Sequence, residues 1–122
     1  MTKDEHTIQN EIRLEVSRTL PNVRLFRANV GDGWVGQVAG RNSREMVLMN
    51  YRRFSTGLPK GTPDLIGFRQ NADGIAQFAF IEVKRPGGRI RPEQKHMIEF
   101  LLEHGAVGGI AHSAAEAVEI LR

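Results

Sequence analysis

At 122 residues the chain is sized for one domain spanning residues 1–122, with room for a single core. The absence of cysteine excludes a disulfide framework and a thiolate metal centre. No apolar run approaches a membrane span, and no basic-then-apolar leader is present, so the cytoplasm is the expected compartment. With 17 Lys and Arg against 14 Asp and Glu, the formal charge is +3 and the pI about 9.8, a balance that suits a phosphate-bearing partner.

Ile8, Ile12, Val16 and Leu20 recur every four residues, which predicts an amphipathic helix from about Lys3 to Leu20, stopped by Pro21. Alternation from Val23 to Val30 predicts a strand. Two further short strands are predicted over Trp34 to Ala39 and Glu45 to Met49, joined through a polar turn. Trp34 and Tyr51 are expected to pack in the core rather than stack on bases. A loop from Ser55 to Gly61 leads into a strand opened by Asp64, and Asn71-Ala72-Asp73-Gly74 is the hairpin turn to a second strand ending at Lys84. Pro92 opens a helix to about His104, with His96 and His104 expected to be partly buried and Gly105 ending the helix. Ala106 to Ala111 reads as a short buried strand, and Ser113-Ala114-Ala115-Glu116 as a capping box before a final helix. The order of elements predicts an α/β fold, a mixed β-sheet flanked by helices.

Chemistry concentrates in Gly61-Thr62-Pro63-Asp64 and Ile81-Glu82-Val83-Lys84. Side chains two apart on a strand share a face, so Glu82 and Lys84 emerge together from the end of an apolar run. If the Asp64 strand pairs with this one, two carboxylates can share a hard divalent cation with an ammonium beside it, the parts required for metal-assisted phosphodiester hydrolysis. Asp64 and Glu82 are the candidate ligands, with the Val83 carbonyl as a third. Lys84 would orient or deprotonate the attacking water, or balance phosphate charge. Each motif alone also fits a turn residue or a solvent-facing ion pair. Their order on two hairpin-linked strands favours the site. Glu11, between Ile8 and Ile12 at the margin of the apolar stripe, is either a site carboxylate reaching a metal or a surface glutamate. Gln94 precedes Met97, Ile98 and Leu101 at helical spacing. It either binds water or phosphate in the site or caps a local backbone group.

Lys60-Gly61-Thr62-Pro63-Asp64 followed by Glu82-Val83-Lys84 resembles the PD-(D/E)xK nuclease signature, and the surrounding pattern resembles the VRR-NUC (virus-type replication-repair nuclease) domain. That resemblance covers nearly the whole chain. It implies a restriction-endonuclease-like core, a nuclease site of Glu11, Asp64, Glu82, Lys84 and Gln94, and Mg²⁺ as cofactor with Mn²⁺ able to substitute. It also implies a role in DNA replication, repair or recombination, as in the small stand-alone members typical of phages. Those members look dimeric, so a homodimer is expected, with the strands from Trp34 to Met49 as candidates for its interface.

The basic residues Arg27, Lys60, Arg85, Arg89 and Arg91, with Asn29 sharing the Arg27 face of its strand, are candidates to grip DNA phosphates. Gly87 and Gly88 would let the backbone approach. Arg41, Arg44, Arg52 and Arg53 read as surface or interface residues, and no histidine is assigned to chemistry. The expected function is a metal-dependent endonuclease acting on DNA, structure-selective because no base-reading helix is evident. The alternatives are a catalytically silent nucleic-acid-binding module of the same fold and a docking protein indifferent to DNA.

Overall fold

The computed structural model describes residues 3–122. They fall into two compact units, one of residues up to 28 with residues 60–122, the other of residues 29–59. In chain order the elements are α1 (Glu5–Thr19), β1 (Val23–Arg27), β2 (Asp32–Arg41), β3 (Met46–Ser55), β4 (Leu65–Gln70), β5 (Ala76–Val83), α2 (Pro92–Glu103), β6 (Val107–Ala111) and α3 (Ala114–Leu121).

In the larger unit a four-stranded sheet runs in the order β1-β4-β5-β6. β4 pairs antiparallel with β1 and β5, while β6 runs parallel to β5, giving the mixed α/β arrangement expected. α1 starts where Asp4 accepts the Thr7 amide at 2.7 Å. Its stripe of Ile8, Ile12 and Val16 is buried with Leu65, Ile81 and Val83 from the sheet and Val118 and Leu121 from α3. Truncating one of these, such as Leu65→Ala, costs about 2–5 kcal/mol. Because Ala79, Ile81 and Val83 face that core, the alternation of β5 turns Phe80 and Glu82 to the opposite face. There α2 begins, contributing Ile98 as its only buried residue.

The smaller unit is the β2–β3 hairpin, longer than the short strands predicted. Its register shifts twice, and Asn50 supplies the extra residue at the first shift with φ of 52°, a left-handed conformation that Asn tolerates better than most residues. None of its strand residues is buried. Trp34 and Tyr51, expected in the core, are 60% and 64% exposed and meet edge-to-face at 5.5 Å. The hairpin has no second layer within its own unit for them to enter.

Two other expectations are corrected. β1 ends at Arg27, not Val30, because its last bond to the Asp64 segment is Ala28 N–H to the Asp64 carbonyl at 2.9 Å. Asn29 therefore lies off the strand, in the smaller unit, and shares no strand face with Arg27. His96 and His104 are exposed, since α2 buries little beyond Ile98. Among the described residues, no helix is long and apolar enough to cross a membrane.

Candidate active site

The β4–β5 ladder ends at the Leu65–Ile81 pair, one residue after Asp64 and one before Glu82. With no backbone partner left on β4, the Val83 amide donates instead to Asp64 Oδ2 at 2.9 Å. That bond fixes the Asp64 carboxylate against the end of β5. The amide and carbonyl of one strand residue face the same neighbour, so the Val83 carbonyl is directed to the Asp64 side as well.

Glu82 is 1% exposed and Lys84 6%. Lys84 Nζ stands 3.8 Å from Glu82 Oε1, and Gln94 Nε2 donates to the same oxygen at 3.4 Å. Gln94 is held from behind: its Oε1 accepts the Arg91 amide at 3.0 Å, satisfying one of the free donors at the start of α2. The capping role anticipated for Gln94 is thus present, and its amide nitrogen turns to Glu82. The Asp64 loop is seated against the same helix start. Gly61 adopts φ of 90°, and a Cβ there would strike the Glu93 carbonyl, so a residue without a side chain lets the loop and the first turn of α2 touch.

Burial, then proton sharing with Asp64 and its negative charge, push the Glu82 carboxyl up to about 8. Lys84 opposes that rise, and Glu5 adds to it. With both carboxyls ionised, no donor among the described residues reaches the buried Glu82 Oε2. An orphaned carboxylate oxygen beside a second carboxylate is what a hard divalent cation would satisfy, and the all-oxygen donor set suits Mg²⁺. Among the described residues no group of three or more acidic or histidine side chains forms a ready cage.

Among the described residues no hydrogen bond or ion pair joins Glu11 to this cluster; Lys3 engages it at 2.8 Å. The α1 carboxylate whose charge reaches Glu82 is Glu5. At about 100° per residue, Glu5 lies roughly 20° from the centre of the Ile8–Ile12–Val16 stripe, while Glu11 lies roughly 100° away. The spacing of Glu5, three residues before Ile8 and seven before Ile12, was available in the sequence as a signal. Of the basic candidates, Arg85, Arg89 and Arg91 are exposed around the turn between β5 and α2, which Gly88 closes onto the Arg85 carbonyl at 2.8 Å. Gly87 adopts φ of 83° with open space around it. Arg27 is exposed at the end of β1, 3.5 Å from His6 Nδ1. Lys60 lines a groove along α2 shared with Glu93, Glu99 and Glu103.

Compared with known families, the chain matches the VRR-NUC domain over residues 12–115. The matched span contains Asp64, Glu82, Lys84 and Gln94 and begins after both Glu5 and Glu11. No curated protein and no solved structure matches the chain.

Proposed function

The chain belongs to the VRR-NUC domain family, whose members are nucleases, and from that premise we propose a Mg²⁺-dependent endonuclease that hydrolyses DNA phosphodiester bonds. The observation that carries the reading is the meeting of Asp64, Glu82, Lys84 and Gln94 at one strand end, where no donor among the described residues reaches the ionised Glu82 Oε2. Asp64, Glu82 and the Val83 carbonyl would hold the cation, with a carboxylate of α1 in support, Glu5 being better placed than Glu11. When bound, the cation neutralises a phosphate oxygen and activates water. Lys84 Nζ, held beside Glu82, orients the attacking water or takes its proton. With Oε1 committed to Arg91, Gln94 offers the site only N–H donors and so binds an acceptor, a water lone pair or a phosphate oxygen. Arg85, Arg89 and Arg91 grip the flanking phosphates, aided by Arg27 and Lys60.

One site cuts one strand, so opposed cuts in branched DNA require a second copy. We take the working form to be a homodimer acting structure-selectively on branched or junction DNA. The test incubates purified protein with supercoiled plasmid and a panel of branched duplexes, in Mg²⁺, Mn²⁺ or EDTA, beside an Asp64→Ala variant. Metal-dependent cutting that vanishes in the variant is the expected result. Binding without cutting under every condition would leave a catalytically silent nucleic-acid-binding module, and equal cutting by the variant would refute the site.

A further inference from the structure

We propose that the 29–59 hairpin is a dimerisation arm, and that it docks on the acidic, partly apolar groove of α2 in a second copy of this chain. The stoichiometry rests on the two-copy reading above; the surfaces are argued independently of the chemistry of the site.

The two strands of the hairpin expose eight large hydrophobic side chains, on both faces. Cross-strand pairing places Trp34 and Tyr51 on one face and Val35 and Met49 on the other. A lone two-stranded hairpin is marginal in water and needs a further layer. Its composition matches a protein interface better than a nucleic-acid arm. Aromatic residues, methionine and arginine are enriched in interfaces and lysine is depleted. Residues 29–59 hold one Trp, one Tyr, one Phe, two Met, four Arg and no Lys. Side chains such as Met49 and Val47 would gain nothing against phosphates.

The groove, about 610 Å³, is lined by Glu93, Glu99 and Glu103 around Met97 and Phe100, with Lys60 also on its wall. Phe100 is 56% exposed. All residues that line the groove belong to the larger unit, and nothing within the smaller unit covers the hairpin's strand residues. Their charges are opposite. The hairpin segment has a net +2 of the chain's +3, while α2 carries three glutamates against one lysine. Asp32 holds Arg53 at 2.9 Å, but Arg41, Arg44 and Arg52 have no ion-pair partner among the described residues, nor do Glu93, Glu99 and Glu103. Three unpaired cations on an apolar ribbon therefore match three unpaired anions on an apolar groove. A standard interface uses roughly 20–30 residues a side, close to the size of the hairpin, and two-fold symmetry would repeat the contact.

The native chain has no cysteine, so single-cysteine variants report without background. Val47→Cys and Phe100→Cys chains, the latter carrying a mass tag, would be mixed and joined by a short bismaleimide, with mass measured by light scattering. A dimer mass and preferential mixed cross-linking are expected. The Arg44→Glu/Arg52→Glu variant should dimerise about a hundred-fold more weakly, and mixing it with a Glu99→Arg/Glu103→Arg variant should restore association. A monomer at all concentrations would overturn both this docking and the two-copy reading. A dimer without the mixed cross-link would overturn the docking alone. Loss of DNA binding in the arginine variant with its dimer intact would make the hairpin a nucleic-acid arm instead.

Discussion

Glu82→Gln should make the metal-free protein more stable, and only at neutral to alkaline pH. In the folded chain the Glu82 carboxyl is raised from 4.5 to about 8, first by burial and then by Asp64. Between those values the folded chain keeps a proton that the unfolded chain has released. Stability therefore falls as pH rises through the window, and the full loss is present above about 8. The displacement corresponds to an upper bound of about 5 kcal/mol at roughly 1.4 kcal/mol per unit. A neutral amide in the same buried position retains a desolvation cost of about 1–3 kcal/mol, which leaves a net gain of about 2–4 kcal/mol. For a chain of this size 1 kcal/mol moves Tm by about 4 °C, so the variant should melt about 8–16 °C higher. The assay is thermal unfolding by circular dichroism in EDTA at pH 5 and pH 8.5. The gap between variant and wild type should open only at the higher pH. Asp4, Glu15 and Glu116, lowered by local hydrogen bonds, lose their contributions as pH falls below the carboxylate range, outside this window. A variant that melts at or below wild type at pH 8.5 would refute the account of Glu82 as a buried charge that wants a cation.

Millimolar Mg²⁺ should raise the Tm of the wild type at pH 8, by about 10 °C if it reaches a hundred-fold excess over Kd; Glu82→Gln and Asp64→Asn should show no such rise. Glu5→Gln should cut plasmid nicking about 10²-fold or more while Glu11→Gln stays within about three-fold, differences of about 3 kcal/mol and under 1 kcal/mol in barrier. The opposite ranking in a steady-state nicking assay would return the α1 role to Glu11. Gly61→Ala should lower stability by about 1–3 kcal/mol in urea unfolding, because the new Cβ meets the Glu93 carbonyl in a left-handed backbone. An unchanged midpoint would show that the loop is not pinned to α2.

The sequence carried the strand-borne part of the site plainly. An apolar run that turns to Glu82 and Lys84 fits a solvent-facing pair when taken alone, but Asn71 to Gly74 folds the strand bearing them back on the one that follows Asp64, and the two motifs together point to one site. The choice of carboxylate on α1 was harder. Glu11 sits between two stripe residues, whereas the α1 carboxylate whose charge acts on Glu82 is Glu5, a neighbourhood that only the packed sheet reveals. The length of β1 depends on how far β4 offers backbone partners, which is a pairing property invisible in the Val23–Val30 alternation. Trp34 and Tyr51 misled for another reason. Apolar alternation reports that a strand wants a covering layer, and it is silent on whether that layer lies within the same compact unit.

Position 94 shows how narrow the choice of side chain can be when one residue joins two structures. The group there must accept from the Arg91 amide on one side and donate to Glu82 on the other. Glutamate would cap the helix but set a third anion against Asp64 and Glu82. Lysine or arginine would face Glu82 well and leave the Arg91 amide unpaired. Asparagine has the right ends on a shorter reach. The polarity of a single amide thus ties the orientation of the first turn of α2 to the supply of N–H donors at the site, so fraying of that turn would disarm the site without touching a carboxylate.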